Sequence, residues 1–241
     1  MYDICILIPT YNEEQNIKKL SFSIKKYTKN LKYFVLFVDD SPNKKTYHEI
    51  KKYFNKKNTK IIHRIKKKNY STRGEASWVG YNYILKNIKT KIIADIDADL
   101  SIPPKYIPLA VKILKKKNID FVINSKYHKK SLVKGRPIFR RLLSRSFTIT
   151  NKLIFGNSIQ DYSAPRYYSF LTLKSYVKNN SLNFYTPIFL LDTLIYLIKN
   201  NFKHYHIPTI YIEGEAESTI NFKTLFISLI EYFKLLKKYN C

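Results

Sequence analysis

Short apolar runs alternate along the first half of the chain with stretches whose apolar residues recur at helical spacing. Residues 3–8 form a run too short and too β-branched for a helix, so they read as a buried strand. Pro9-Thr10-Tyr11-Asn12-Glu13-Glu14 ends it, and a helix follows over about 14–27. Residues 33–38 form a second strand closing on Asp39-Asp40-Ser41-Pro42, and 46–54 read as a helix. Residues 61–63 make a third strand, followed by a basic loop over 66–70 and a helix over 74–88. The fourth strand runs from Ile92 and ends near Asp97 or Ala98, because Pro103 and Pro104 cannot continue a ladder. Pro104 then opens a helix to about residue 117, and 121–124 form a fifth strand. This alternation predicts an α/β fold: a mostly parallel sheet with helices on both faces.

Three of these strands end in polar clusters: Tyr11/Asn12/Glu13, Asp39/Asp40 and Asp97/Asp99. Parallel strands bring such ends to one edge, where open α/β sheets bind ligands. Asp97 and Asp99 repel one another unless a cation lies between them, and hard oxygen ligands suit Mg²⁺ or Mn²⁺. A lone Asp-x-Asp also occurs as a plain strand end, and Asn12 and Glu13 can serve as helix caps. Three acidic ends in succession point instead to a pocket that binds a base and ribose and, through a metal, a diphosphate. Asp95 has the strand parity of Asp97 and faces the same side, either as a buried acid or paired with a lysine.

Composition adds a partner class. Forty-four Lys and Arg against 17 Asp and Glu give a net charge of +27, which fits nucleic acid, anionic lipid or a phosphorylated substrate, or else a solvated lysine surface. A nucleic-acid-binding protein leaves the acidic strand ends without a purpose, so nucleic acid is not an expected partner. Cys5 and Cys241 make no disulfide framework, which suggests a reducing compartment. The first strand follows Met1 too closely for a secretory signal. The longest apolar stretch, 184–198, is broken by Pro187 and Asp192, so no transmembrane helix is expected. Residues 136–156 form a basic amphipathic helix with Pro137 at its start and Gly156 at its end. Residues 224–239 repeat the theme. Both suit helices lying in a membrane interface with a lipid groove between them, or packing on the domain. The expected location is cytoplasmic, peripheral on the cytoplasmic face of a membrane.

Ile8-Pro9-Thr10-Tyr11-Asn12-Glu13, Val38-Asp39-Asp40-Ser41-Pro42 and Asp97-Ala98-Asp99-Leu100-Ser101-Ile102-Pro103-Pro104 resemble the family 2 glycosyltransferases of the GT-A fold. Asn124-Ser125-Lys126-Tyr127, Pro137-Ile138-Phe139-Arg140-Arg141-Leu142-Leu143-Ser144, Gly156 and Asp161 extend the likeness to the dolichyl-phosphate (polyprenyl-phosphate) mannose synthases. The resemblance implies one GT-A domain over 1–241, with a nucleotide-sugar half (1–125) and an acceptor and membrane half (126–241). It implies an inverting, metal-dependent transfer of a hexose, with GDP-mannose as first donor and a polyprenyl phosphate as acceptor. Pro9, Tyr11, Glu13, Val38, Asp40, Asp97, Ala98, Asp99 and Ser101 would hold the nucleotide sugar. Asp97, Asp99 and Ser101 would hold Mg²⁺ or Mn²⁺. Asp99, Lys126 and Arg140 would be catalytic, the two cations near the acceptor phosphate. A separate membrane-anchoring subunit is a further expected partner.

The chain departs from the family pattern at several points. Ser71-Thr72-Arg73 replaces the usual Lys-Gly-Leu before Gly74, Ala76 and Gly80, glycines suited to close approach of ligand or sheet. Arg64 and Arg73 are candidates for phosphate contact or for solvation. Asp95 stands where an apolar residue is usual, and Lys126 where an arginine is usual, which loses the bidentate fork. Glu213-Gly214-Glu215-Ala216-Glu217-Ser218-Thr219 puts acids where a cationic clamp is expected, with Arg166 as a candidate substitute. The alternatives are another family 2 enzyme using a UDP-sugar or a glycan acceptor, and an inactive GT-A scaffold at the membrane.

Overall fold

The computed structural model describes residues 1–65, 68–116, 118–156, 158–213 and 222–240. Its first half runs β1 (Tyr2–Thr10), α1 (Glu14–Tyr27), β2 (Tyr33–Asp39), α2 (Lys45–Tyr53), β3 (Thr59–His63), α3 (Arg73–Asn87), β4 (Thr90–Asp95), α4 (Ile107–Lys116) and β5 (Phe121–Ser125). The second half adds β6 (Leu132–Lys134), α5 (Ile138–Phe155), β7 (Arg166–Ser169), α6 (Phe170–Asn179), α7 (Ile188–Lys199), β8 (His204–Pro208), β9 (Ile210–Ile212) and α8 (Phe222–Lys238).

Seven strands form one sheet in the order β3-β2-β1-β4-β7-β5-β8, and β6 pairs with β9 separately. Neighbours in the large sheet are parallel except β7, which runs antiparallel to both β4 and β5. That inserted strand has no counterpart in the sequence-based expectation, which stops at five strands. Helices cover both faces. Leu7, Leu36, Ile93 and Phe121 pack on one side with Tyr81 and Phe189, while Ile6, Phe37 and Ala94 pack on the other with Ile17 and Val111. Burial on both faces explains why these strands are continuous apolar runs.

Two expected boundaries move. β1 does not end at Pro9 but runs on through Thr10, paired with Asp39 of β2. The β4 ladder on its other side stops at Leu7, so the missing N–H of Pro9 interrupts nothing there. β4 itself ends at Asp95, which leaves Asp97 and Asp99 in the loop that follows.

The last helix is pinned by two buried acids. Asp192 of α7 accepts hydrogen bonds from Tyr176 Oη (2.7 Å), Lys238 Nζ (2.7 Å) and Tyr239 Oη (2.9 Å). Glu231 of α8 accepts from the backbone N–H of Tyr185 (2.8 Å) and Thr186 (3.1 Å) and from the Thr186 hydroxyl (2.6 Å). Among the described residues no helix is long and apolar enough to cross a membrane.

Candidate active site

The strand order sets the carboxyl ends of β2, β1 and β4 side by side, with Thr10 opposite Asp39 and Leu7 opposite Asp95. Asp39 is fully buried and braces the edge. It accepts hydrogen bonds from Thr10 Oγ1 (3.1 Å) and Ser41 Oγ (2.6 Å), and contacts His63 Nδ1 at 3.0 Å. Asp40 receives both arms of the Arg64 guanidinium at 2.7 Å and the Thr72 hydroxyl at 2.8 Å. Arg64 is thus the counter-ion of Asp40, and Asp40 keeps lone-pair capacity on Oδ1 for a ligand. Pro9, Val38 and Ala98 are buried, so they present backbone rather than side chain to the edge. Tyr11 and Glu13 are half-buried at the rim.

The loop after β4 has an internal scaffold. Arg73, at the start of α3, reaches Asp97 Oδ1 through Nε (3.2 Å) and Nη2 (3.1 Å), and Asp95 Oδ1 through Nη2 (2.6 Å). Its Nη1 donates to Ser77 Oγ, and Asp95 Oδ2 accepts from Ser77 (3.0 Å) and Tyr81 (2.6 Å). Asp95 is therefore the partner of an arginine, not of a lysine. Shared parity does bring Asp95 and Asp97 to one cation. Farther along, Asp99 Oδ1 accepts the Ser101 N–H at 2.9 Å, and the Ser101 carbonyl accepts the Ile212 N–H at 3.0 Å. Leu100 between them has φ 60°, a left-handed conformation unfavourable for a branched side chain. Strain of this kind concentrates at functional sites.

Charge crowds this loop. Burial and the neighbouring Asp97 push the Asp99 carboxyl up. Burial pushes Glu13 up to about 7, opposed by its bond from Asn16 and reinforced by Asp99 and Asp97. Two carboxylates two residues apart in one loop, with the Ser101 hydroxyl beside them, form a hard oxygen donor set that fits Mg²⁺ or Mn²⁺. Asp97 Oδ2 has no hydrogen-bond partner among the described residues and is the oxygen open to a cation. Those residues contain no group of three or more His, Cys, Asp or Glu placed to hold a metal. A cation here would take its remaining ligands from Ser101, a diphosphate and water.

The second half contributes cations that are already partnered. Lys126 is 5% exposed. Its Nζ meets both Asp161 oxygens (2.9 and 3.0 Å) and Ser163 Oγ (2.8 Å), so its three protons are engaged. Arg140 is on the surface at the start of α5 and donates to Glu213 Oε1 at 3.1 Å. Tyr211 of β9 links the groups: its hydroxyl donates to Glu213 (2.8 Å), and its ring has Lys126 Nζ at 5.6 Å and the Arg136 guanidinium at 5.4 Å. The Ile212 N–H bond to the Ser101 carbonyl places this group beside the Asp99 loop. The expected acidic segment is thus represented by Glu213, and residues 214–219 lie outside the described residues.

Two candidates change role. Arg166 is a core residue, donating to the carbonyls of Leu190 (2.7 Å) and Tyr162, and does not replace a clamp. Gly74 approaches protein rather than ligand: a Cβ there would lie 2.6 Å from the Thr186 carbonyl oxygen and 2.5 Å from Phe189 Cβ. Sequence reasoning missed Tyr211 and the partnership of Asp161 with Lys126, and read Arg136 only as a charge of the amphipathic helix, whereas it lies before α5 against Tyr211. No local pattern marks these residues, because β9 is three residues long and the Lys126–Asp161 pair spans 35 positions.

α5 leaves this region with an apolar row in the open. Phe139 is 75% and Leu153 80% exposed, with Leu142, Leu143 and Ile149 between them, among Arg140, Arg141 and Arg145. α8 exposes Phe222, Phe226, Leu229 and Phe233. The two helices touch rather than part around a groove: Phe147 packs on Tyr232 (5.7 Å) and Phe155 on Tyr239 (6.2 Å). The cavity beside α5, about 360 Å³, is lined by Tyr127, Lys129, Arg145 and Lys152.

The sequence profile of glycosyl transferase family 2 matches residues 5–171. A dolichol-phosphate mannosyltransferase of Pyrococcus furiosus is 29% identical over 236 residues, 97% of this chain and 64% of that protein. An undecaprenyl-phosphate 4-deoxy-4-formamido-L-arabinose transferase of Yersinia enterocolitica is 26% identical over 66% of this chain and 46% of its own length. The chain therefore spans about half to two thirds of these curated relatives. Among solved structures, glucosyl-3-phosphoglycerate synthase of Mycobacterium tuberculosis, in complex with Mn²⁺, UDP and glucosyl-3-phosphoglycerate, superposes with a TM-score of 0.68 at 19% identity. That match covers 98% of this chain and 79% of the synthase. The fold is of GT-A type, and the chain belongs to glycosyl transferase family 2.

Proposed function

We propose that the chain transfers mannose from GDP-mannose to a polyprenyl phosphate, with inversion, at the cytoplasmic face of a membrane. Residues 1–125 bind the donor and 126–241 bind the acceptor within one domain. One observation carries the reading. The helix that begins at the Arg140–Glu213 contact beside the Asp99 loop goes on to expose an apolar row flanked by arginines. A lipid-linked phosphate needs that combination: a surface for the chain and cations for the headgroup. The exposed face of α8 extends that surface and also suits a membrane-anchoring subunit.

Glu13 and Asp40 offer carboxylate oxygens to base and ribose, and Tyr11 a flat face. Asp97, Asp99 and Ser101 hold the divalent cation, which when bound offsets diphosphate charge and stabilises the leaving group. The acceptor phosphate has a second pKa of about 6, so it attacks without a protein base. The task left to the protein is to hold two anions against one another, and Lys126 and Arg140 are the cations assigned to it in this proposal. Direct displacement at the anomeric carbon inverts its configuration.

The second reading, an inactive membrane scaffold, is favoured by the engagement of Lys126 with Asp161 and of Arg140 with Glu213. A donor and acceptor matrix decides. Purified protein with Mn²⁺ is offered labelled GDP-mannose, UDP-glucose or UDP-N-acetylglucosamine, with polyprenyl phosphate in liposomes or an oligosaccharide in solution. Label entering lipid from GDP-mannose supports the proposal. Label entering lipid from a UDP-sugar corrects the donor, and label entering the oligosaccharide corrects the acceptor. No transfer with intact liposome binding establishes the scaffold.

A further inference from the structure

Arg73 is held too firmly to be a solvated side chain. Its guanidinium bonds Asp95 (2.6 Å), Asp97 (3.1 and 3.2 Å) and the Ser77 hydroxyl. Asp95 is itself 2% exposed and takes hydroxyl bonds from Ser77 and Tyr81. If the guanidinium swung away, a carboxylate would be left buried without its counter-ion, which is strongly unfavourable. The loop behind it is tied down as well. The Ser71 N–H donates to Thr224 Oγ1 of α8 (2.9 Å), and the Gly74 N–H to the Tyr185 carbonyl (2.9 Å).

This arrangement has a consequence for the carboxylate pair. Arg73 occupies only Oδ1 of Asp97, which leaves Oδ2 for a ligand. A fixed positive charge thus contacts one oxygen of a carboxylate whose other oxygen is left for a cation. The balancing Asp95 charge lies one step farther away.

We propose that Arg73 is a positioning residue that grips Asp97 from behind and, by its charge, lowers the affinity of the Asp97–Asp99 pair for a divalent cation. The proposal rests on Asp97 and Asp99 being cation ligands. Removing Arg73 and Asp95 together takes out no net charge and leaves no buried ion. It frees Asp97 Oδ1 and removes the nearer repulsion. Removing the Asp95 charge alone leaves the arginine charge to Asp97 alone. The two changes therefore move cation affinity in opposite directions, which a merely structural role does not do.

The test is Mn²⁺ binding to the protein without nucleotide, read from the electron paramagnetic resonance signal of free Mn²⁺. Arg73→Met/Asp95→Leu is expected to bind Mn²⁺ about tenfold tighter than the parent, because Coulomb repulsion at this range is large in a partly desolvated site. Asp95→Asn is expected to bind it severalfold more weakly. A folded double variant whose dissociation constant stays within about twofold of the parent's overturns the proposal, as do shifts of the same sign in both variants. If the double variant does not fold, the direction of the Asp95→Asn shift decides alone. Mn²⁺ binding by the double variant but not by the parent supports the proposal in its strongest form. Absence of binding in both overturns it together with the cation reading, whereas binding by the parent with no Arg73 effect overturns the proposal alone.

Discussion

Asp161→Asn is the most informative single change outside the Asp97–Asp99 loop. In the parent, Asp161 accepts five hydrogen bonds: two from Lys126 Nζ, one from the Lys126 N–H, and one each from the N–H and hydroxyl of Ser163, at 2.9–3.1 Å. Both side chains are almost wholly enclosed, at 3% and 1% exposure. Asparagine keeps the shape but removes the charge and turns an N–H donor toward an ammonium group. Breaking a buried pair from one side costs about 3–5 kcal/mol, because the remaining charge stays buried without compensation. For a chain of this size that corresponds to a fall in Tm of about 6–20 °C. Lys126→Met, which leaves Asp161 three of its five bonds, is expected to cost somewhat less. The double variant removes both charges and should recover about 2 kcal/mol or more of the summed losses. Urea unfolding of the four proteins measures all of these terms. A loss below about 1 kcal/mol for Asp161→Asn, or single effects that simply add, would refute the structural role of the pair. Lys126 would then be a cation held for the acceptor phosphate alone.

Other consequences can be tested separately. Gly74→Ala drives a Cβ into the Thr186 carbonyl and the Phe189 side chain and should cost about 1–3 kcal/mol by thermal melting; an unchanged Tm contradicts the close packing of α3 on this segment. Glu13, raised from 4.5 to about 7, holds a proton in the folded chain that the unfolded chain has already released between those values. Stability therefore falls as pH rises through that window, and in Glu13→Gln this part of the slope vanishes; identical pH profiles for the two proteins count against a raised Glu13. Phe226→Ser/Phe233→Ser removes two exposed aromatic side chains of α8 and should weaken sedimentation with anionic liposomes at least tenfold without altering Tm, whereas unchanged sedimentation excludes this face from the membrane contact.

The first half of the fold was legible because β1, β2, β4 and β5, buried on both faces, are plain apolar runs cut off by polar or proline-containing turns. α1 matches its expected limits, and α2, α3 and β2 lie within a residue of theirs. β7 was not legible. Arg166-Tyr167-Tyr168-Ser169 enters the sheet between β4 and β5, a placement set by tertiary packing around Tyr167 and Tyr168 rather than by local pattern. β8 and β9 mix His, Tyr and Ile without clean alternation. At the site, the acidic strand ends were legible because carboxylates at the ends of apolar strands are conspicuous. Their counter-ions were not. Arg73 and Arg64 lie 24 residues from Asp97 and Asp40, and only the folded sheet edge brings them together. Parity placed Asp95 beside Asp97 but could not name the cation they share.

The most direct test compares the parent with Asp99→Ala, each saturated with Mn²⁺ and labelled GDP-mannose, in liposomes containing polyprenyl phosphate. The label extracted with lipid is followed over time. The parent should transfer mannose to the lipid, and Asp99→Ala should fall by about 10²-fold or more while keeping the parent's Tm and liposome binding. Equal transfer by both proteins, or none by the parent with any nucleotide sugar, would contradict assignment of the Asp97–Asp99 loop as the centre of a lipid-phosphate glycosyltransferase.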